Sequence, residues 1–204
     1  MFTTFKPRLK YHHFTSLFWV IFLLSQSVVV SARAAREKAV SYSINSSRSG
    51  VLFDGAIYYG QSEATTNPAV GNEWKNLTSV YDIKLGYISS SGIFWGGEYS
   101  TRNDSGLTTS SNGGTGAAGL GYFWGSGFHA RTYYRINESW GDYTNGSGFQ
   151  ADVGYMVNMT SNFYLGLLVS HRQVTFTSND TITAFSSFVK KDTQPMLTFG
   201  FLIN

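Results

Sequence analysis

The sequence predicts an all-β fold, an eight-stranded antiparallel up-and-down transmembrane β-barrel. Three observations lead to it: eight short segments between Val51 and Ile203 alternate apolar and polar residues, their connections alternate long and short, and a leader-like segment precedes them. A period of two places alternate residues on opposite faces of a sheet. Repeated eight times, with the strand charges on one face, this pattern is typical of a barrel with lipid outside and a polar interior.

The strands are predicted from the runs that keep this period and from the turn residues between them. In the fifth strand, one set of side chains is apolar or small and the other holds the charges: Phe128, Ala130, Thr132, Tyr134 and Ile136 against His129, Arg131, Tyr133, Arg135 and Asn137. In chain order, the predicted strands are residues 51–60, 77–88, 93–101, 115–123, 128–137, 147–157, a strand that starts at 163, and a last strand that ends at 203.

The connections complete the topology. We expect short turns at residues 89–92, 124–127 and 158–162, and long polar loops at residues 61–76, 102–114, 138–146 and 172–193. Short periplasmic turns and longer extracellular loops are typical of outer-membrane barrels. Predicted strands of about 9–11 residues also fit a tilted crossing of a bilayer.

The first 34 residues are predicted to be a signal peptide. Lys6, Arg8 and Lys10 form a positive start, residues 14–30 are an apolar run, and Ala32-Arg33-Ala34 matches the small-x-small cleavage pattern. An uncleaved membrane anchor is the alternative, since a spanning helix needs about 20 residues. The predicted domains are therefore a signal peptide, a short periplasmic lead-in and an outer-membrane barrel, at residues 1–34, 35–50 and 51–204.

The formal charge of +3 belongs to the leader, which contains four basic residues and no acidic one. Without those four, the 15 basic residues become 11 against 12 acidic residues, a net charge of −1. We therefore expect no nucleic-acid partner. The chain has no cysteine, which excludes disulfides, a lipoprotein anchor and thiolate metal sites.

The composition of the two strand faces indicates which one meets lipid. A soluble lipocalin-like barrel also alternates, with its apolar face inward. Here the polar face is rich in small and aromatic residues and is sparser in charge than a soluble surface usually is. Aromatic residues near the strand ends of the apolar face resemble interfacial girdles, with Tyr59, Tyr81 and Tyr99 toward the loops and Tyr87, Tyr122, Tyr155 and Phe163 toward the turns. Lipid is therefore predicted outside.

The chain from Val51 onward resembles the small eight-stranded bacterial outer-membrane barrels, the OmpA transmembrane domain, OmpX/Ail and OmpW. The resemblance lies in the organisation of strands and loops rather than in a fixed motif. In such proteins the last strand typically ends in an aromatic residue that the assembly machinery reads, whereas here Phe199-Gly200-Phe201-Leu202-Ile203 is followed by Asn204. The resemblance implies a location in the bacterial outer membrane. It also implies outer-membrane lipid, lipopolysaccharide and the barrel assembly machinery as partners.

The inner face predicts a filled lumen. It holds four acids and four bases, Asp54, Asp82, Glu98 and Asp152 with Lys84, Arg131, Arg135 and Arg172. Eight strands enclose an interior just wide enough for side chains. A buried charge without a partner costs several kcal/mol, so we expect these eight to form a salt-bridged plug. A narrow polar path or gate is the alternative.

The residues of the chain give little support to an enzymatic function. A lipid A deacylase resembles this layout in using His and Ser near the outer leaflet, with a His-x-Ser-Asn pattern; here the run is His171-Arg172-Gln173-Val174. No Gly-rich run precedes a helix and no cluster has metal-ligand spacing, so we expect no catalytic, cofactor or metal residues. His171 is predicted to be an interfacial residue.

The last long loop is the predicted partner-binding segment. Residues 172–193 look like a hairpin that extends the last two strands beyond the membrane, with apolar Phe176, Ile182, Phe185 and Phe188. A protruding strand edge can bind an extracellular protein or surface ligand by strand addition. The alternative is a packed hairpin without a partner, since edges are often merely protected.

The function predicted from the sequence is a structural or surface-interaction, adhesin-like role exerted through the extracellular loops. A narrow, porin-like channel for ions or small solutes is second, and a lipid-modifying enzyme is third. The fold alone does not select a ligand, because function in such barrels lies in sites grafted on the fold.

Overall fold

The computed structural model of the protein describes residues 49–67, 74–105 and 110–204. The predicted signal peptide, and the predicted lead-in up to residue 48, lie outside the described residues. The described part contains nine strands: β1 (Gly50–Asn67), β2 (Trp74–Ile88), β3 (Ile93–Ser105), β4 (Ser110–Phe123), β5 (Phe128–Trp140), β6 (Tyr143–Asn158), β7 (Phe163–Phe176), β8 (Ser178–Asn179) and β9 (Phe188–Ile203). In these ranges, no helix is long and apolar enough to cross a membrane.

Eight of these strands close an antiparallel barrel. Each of β1 to β6 pairs with the next strand along the chain, β7 pairs with β9, and β9 returns to pair with β1. The two-residue β8 lies outside this ring of strands and pairs with the start of β6. The predicted fold class, an all-β up-and-down barrel of eight antiparallel strands, is confirmed.

The strands are longer than predicted at one end, which we call the loop end; the opposite end, where the four-residue turns lie, is the turn end. β6 and β9 have 16 residues each. The predicted loop at residues 138–146 is wrong, because β5 and β6 continue until two residues, Gly141 and Asp142, separate them. Much of the predicted loops at residues 61–76 and 102–114 is likewise strand.

Two of the short turns share one glycine-dependent geometry. Gly92 and Gly127 have φ of 88° and 93°, a left-handed conformation that side chains with a Cβ rarely adopt. A Cβ at either position would also lie 2.4 or 2.3 Å from a backbone oxygen of the next strand along the sheet. Ser89–Gly92 and Trp124–Gly127 are closed by N–H···O bonds of 2.9 and 3.0 Å. The turns at these predicted positions are confirmed.

The two faces follow the predicted alternation. Along β9, buried and exposed residues alternate from Lys190 to the end of the strand. The fifth strand departs at Asn137, which was predicted to face the lumen. Asn137 has φ of 54° and lies at a register shift between β5 and β6, so Ile136 and Asn137 are both exposed and Trp140 is buried. A bulge adds one residue to a strand and so reverses the faces beyond it.

The closure between β1 and β9 is irregular. Residues 51–57 pair with residues 203–197, and residues 65–67 pair with residues 191–189, with a register shift between the two stretches. Pro195 lies in the interval between them, opposite a stretch of β1 with which it is not in register. Proline has no N–H to donate and is usually found at such edges and bulges.

Glycines on the inner face make room for lumen aromatics. A Cβ on Gly119 would lie 2.3 Å from the ring of Tyr133, and one on Gly86 would lie 2.4 Å from the ring of Phe94. A Cβ on Gly154 would likewise lie too close to the His129 ring, and one on Gly200 would lie too close to Tyr164. Because the lumen of eight strands is narrow, a ring on one strand fits where its neighbour lacks a side chain.

Candidate functional site: the lumen and its cap

The eight predicted lumen charges all lie inside the barrel. None of them exposes more than 4% of its surface, and we call them the central network: Asp54, Asp82, Lys84, Glu98, Arg131, Arg135, Asp152 and Arg172. They come from six strands, and the period of two directs each of them inward. The structure therefore places all eight of these residues in the lumen.

Lys84 is the hub of the central network. Its Nζ lies 2.7 Å from a carboxylate oxygen of Asp152, and 3.4 and 3.6 Å from oxygens of Glu98 and Asp82. Lys84 is on β2 and Asp152 is on β6, four strands away around a ring of eight, so this ion pair crosses the full width of the lumen. An ion pair of this kind leaves little room for an open path.

The three arginines of the central network each contact a carboxylate on a non-adjacent strand. The distances are 2.6 Å for Arg131 with Asp54, 2.6 Å for Arg172 with Asp82, and 2.9 Å for Arg135 with Glu98. Since each arginine presents several N–H donors in a planar fork, one side chain can hold more than one acceptor. Arg135 also donates to Glu138 at 2.6 Å. The charges thus connect strands that are not neighbours in the hydrogen-bonded sheet.

Neutral side chains satisfy the remaining oxygens of these carboxylates. Gln150 donates to Glu98 at 2.8 Å and to Asp152 at 2.9 Å, and its own carbonyl accepts from Arg135. Ser100 donates to Asp82 at 2.6 Å. Buried ion pairs are favourable only when such additional hydrogen bonds are present. The arrangement is a connected polar network rather than a set of isolated pairs.

A second tier of charges lies toward the loop end. This upper network comprises Arg102, Asp104, Lys190 and Asp192, all buried. Arg102 lies 2.7 Å from Asp104 and also bonds to Asp192, while Lys190 lies 3.6 and 3.5 Å from the same two carboxylates. Two bases and two acids again balance.

Sequence reasoning missed the upper network because its residues fell in predicted loops. A signal was present: Arg102 and Asp104 continue the inward parity of Glu98 and Ser100, and Lys190 and Asp192 continue that of Thr198. The apolar half of the alternation stops there, since the outward residues above the membrane are polar. The parity of the charges alone therefore predicts that β3 and β9 extend to these residues.

An aromatic cap closes the lumen at the loop end. It consists of the buried residues Trp140, Val174, Phe176 and Phe188, with Tyr143 and Phe185 packed against them. The ring of Phe188 is nearly parallel to those of Trp140 and Tyr143, at centroid distances of 6.0 and 4.6 Å. Trp140 Nε1 donates to Asp104 at 2.6 Å, and Lys190 Nζ lies 4.3 Å from the Trp140 ring centroid. The cap therefore rests directly on the upper network.

The cap corrects the predicted partner-binding segment. Phe176 and Phe188 pair across β7 and β9 and are buried in the cap, so neither is an exposed binding residue. Phe185 is half-buried against the cap, and Ile182 alone of the four is exposed, at 50%. The predicted edge is also occupied, because Ser178 and Asn179 pair with Thr144 and Tyr143. Phe176 and Phe188 point inward because the lumen continues above the membrane, between the extended ends of the strands.

An apolar floor closes the turn end. One buried apolar cluster lies there, and it consists of Leu52, Ile88, Phe94, Phe123, Tyr133, Met156, Tyr164 and Leu202. In the described part of the chain, the lumen is therefore filled from apolar floor through two ionic tiers to aromatic cap. The predicted plug agrees with this packing.

Some buried polar atoms have no protein partner among the described residues. They are His129 Nδ1, Arg131 Nε, the Tyr133 hydroxyl, Asp192 Oδ1, and both amide atoms of Gln194. Gln194 lies beside the irregular stretch of the β1–β9 closure. Groups of this kind are the places where a polar interior can accept water.

The predicted interfacial histidine is on the outside of the barrel. His171 is exposed, and its Nδ1 lies 2.8 Å from Thr193 Oγ1 on the adjacent strand. Within the described ranges, no group of three or more His, Cys, Asp or Glu side chains could hold a metal ion.

The exterior is a lipid-facing surface. Large apolar side chains are exposed on every barrel strand, among them Tyr59 at 75%, Leu167 at 67% and Phe149 at 64%. Tyr81 and Tyr99 are exposed toward the loop end, and Tyr122 and Tyr155 toward the turn end, as predicted for two girdles. Monomeric soluble proteins rarely expose such large contiguous apolar areas. A closed barrel with an apolar exterior and an ionic interior is the architecture of bacterial outer-membrane barrels, and the outer membrane is its location.

Comparison with known proteins adds a likeness of fold. No protein-family model and no curated protein matches the chain. Among solved structures, the outer membrane protein OprG from Pseudomonas aeruginosa is 8% identical, with 78% of this chain and 98% of that chain covered and a TM-score of 0.37. The outer membrane protein AlkL in DMPC lipid bilayers is 12% identical, with 74% and 91% covered and a TM-score of 0.37.

Proposed function

We propose that this outer-membrane barrel has a structural or surface-interaction role, exerted through its loop end rather than through its lumen. The observation that carries the proposal is the filled interior, in which ion pairs cross the full width of the barrel beneath an aromatic cap. A side-chain plug of this kind leaves the loop end as the surface available to partners outside the cell.

The height of the strands supports this role. A strand of 16 residues, such as β6 or β9, is about 53 Å long at about 3.3 Å per residue. With a tilt of about 40°, it extends about 40 Å along the barrel axis, against an apolar band about 25 Å tall. The loop end therefore stands about 15 Å beyond the band, and the cap holds it rigid.

Among the residues that the structure describes between β8 and β9, the exposed side chains are mostly small and polar, and one large apolar residue is exposed. Ile182 is exposed beside Thr181, and Asn179 supports both of them through hydrogen bonds of 2.9 Å to their backbone N–H groups. An apolar side chain held on an ordered turn is suited to insert into a partner's pocket. We propose Ile182 as the principal contact residue for an extracellular protein or surface ligand.

An adhesion assay tests this role. Bacteria that display the barrel are compared with an empty-vector strain for attachment to host cells and to matrix proteins, and we expect attachment to fall with Ile182→Asp. Replacement of residues 180–184 by a Gly-Ser segment of equal length, which leaves Phe176, Phe185 and Phe188 in the cap, should have the same effect. Met159→Ala, an exposed apolar residue in a turn at the opposite end of the barrel, is the control. Equal attachment by all these strains would retire the surface-interaction role.

A narrow channel is the second candidate, favoured by the unpartnered polar atoms of Asp192 and Gln194 in the lumen. Planar-bilayer recording separates the two candidates. We expect the purified protein to show no stable conductance, and Trp140→Ala, which opens the cap, to raise the current. A stable conductance of the unaltered protein would favour the channel.

The proposal includes no enzymatic activity. His171, the residue that the deacylase comparison singled out, has Thr193 as its hydrogen-bond partner. Mass spectrometry of lipid A from cells with and without the protein tests this part, and a mass difference that His171→Gln abolishes would contradict it.

A further inference from the structure

Lys191 is unusual among the charged residues of the wall. Of the strand residues whose side chains the structure describes, it is the one charged residue that is exposed on the outer face. Its neighbours Lys190 and Asp192 face the lumen and belong to the upper network. Lys191 forms no ion pair with any described residue. Among the side chains that the structure describes, none neutralises this cation.

The level of Lys191 along the barrel indicates where that anion is. Lys191 precedes Ile203, the last outward residue of β9, by twelve positions. At about 3.3 Å per residue and a tilt of about 40°, it lies about 30 Å along the axis from Ile203, against an apolar band about 25 Å tall. The outward residues of β9 are Leu197, Phe199 and Phe201 within this band, and they become polar at Thr193 and Lys191. Lys191 therefore reaches the headgroup level at the loop end.

Its neighbours are hydrogen-bond donors. Gln173 lies opposite Lys191, and His171 lies opposite Thr193, on the paired strand β7. All four residues are exposed, and we call them the donor patch. The donor patch itself contains no carboxylate. An ammonium, an amide, a hydroxyl and an imidazole can each donate to one anionic oxygen cluster.

An aromatic side chain borders the donor patch. Phe149 lies opposite Gln173 on β6 and is 64% exposed. A ring at the edge of the apolar band packs against acyl chains while the groups above it meet headgroups. The combination of an exposed aromatic ring and a cation in neighbouring positions matches a phosphorylated lipid, which has acyl chains and a charged headgroup.

We propose that the donor patch, His171, Gln173, Lys191 and Thr193, docks a phosphate of the phosphorylated glycolipid in the outer leaflet. Lys191 supplies the charge that meets the phosphate, and the other three donate hydrogen bonds to its oxygens. Phe149 contacts the acyl chains of the same lipid. This site concerns the lipid-facing wall and is independent of the role of the loop end.

Native mass spectrometry of the full barrel in detergent tests the site. The probes are lipid A with two phosphates, the same lipid with its phosphates removed, and inorganic phosphate. A lysine near a charged membrane surface contributes about a fivefold change in binding. We therefore expect Lys191→Gln to bind the phosphorylated lipid about fivefold more weakly, Lys191→Arg to bind it as the unaltered protein does, and Asp142→Asn, a charge change outside the patch, to have no effect.

Several outcomes would overturn the proposal. Equal binding of the two lipids by the unaltered protein would remove the role of the phosphate, and that comparison requires no variant. Equal binding by Lys191→Gln and the unaltered protein would remove the site. Inorganic phosphate that binds as tightly as the lipid would show an ion site without lipid docking. Heat-modifiable migration on a gel verifies that each variant is folded.

Discussion

Replacement of Lys84 by methionine tests the central network directly. The substitution keeps an unbranched side chain of similar length and removes the ammonium that lies 2.7, 3.4 and 3.6 Å from three carboxylates. All of these groups have fully buried side chains. The variant leaves three buried carboxylates with one cation fewer, which is the situation in which a broken ion pair is most destabilising.

The expected loss of unfolding free energy is about 3–5 kcal/mol, the range for removal of one partner from a buried pair. Lys84→Met combined with Asp152→Asn removes one acid as well and leaves three bases and three acids in the central network. We therefore expect the double variant to be less destabilised than the sum of the two single variants, by about 0.5–3 kcal/mol.

Lys191→Met is the matched control, since it makes the same chemical change on the outer face. Its effect on unfolding free energy should stay within about 0.5 kcal/mol. Urea titration of the barrel in lipid vesicles, followed by tryptophan fluorescence and by heat-modifiable migration, measures the unaltered protein and the four variants. Unfolding of Lys84→Met at the same urea concentration as Lys191→Met would refute the view that Lys84 neutralises buried charge.

Three further substitutions test the packing. Gly119→Ala should destabilise the barrel by about 1–3 kcal/mol, because its Cβ would lie 2.3 Å from a buried tyrosine ring. Gly116→Ala on the same strand is the control, since its Cβ would meet nothing within 4 Å and should have little effect on stability. The urea midpoints of the two variants are compared. Gly127→Ala should cost about 1–3 kcal/mol because of its φ of 93°, with Gly125→Ala, in the same turn, as the milder control in refolding yield and urea midpoint. Trp140→Ala should lower the unfolding free energy by about 3–5 kcal/mol, and an unchanged urea midpoint would contradict the packing of the cap.

The inward direction of the lumen charges could be predicted because each side chain of a strand points to one of only two faces. Once Arg131 and Arg135 are placed on one face of β5, their parity fixes them inside whatever their partners are. The same parity rule would have placed Phe176 inside, since it continues Arg172 and Val174. It was predicted to be exposed because an apolar residue beyond the membrane resembles a binding residue when the height of the lumen is unknown.

Strand ends were predicted less well, for a physical reason. The apolar half of the alternation comes from contact with lipid, and it ends where the bilayer ends. Hydrogen bonding between strands continues beyond that level, as in β3, which runs to Ser105 instead of residue 101. The bulge at Asn137 left no recognisable mark in the alternation, because Ile136 and Asn137 still alternate as apolar and polar.

The amino-acid sequence by itself determined the number of barrel strands, the face on which each charge of the central network lies, and the balance of its four acids with four bases. These properties follow from a period of two and from the energetic need to keep charge out of lipid. The tertiary structure alone decided which charges meet. Lys84 contacts Asp152 across 68 positions of sequence because closure of the ring brings β2 opposite β6. The pairing register also decided that Phe188 lies in the cap and that Lys191 lies beside Gln173 on the outer face.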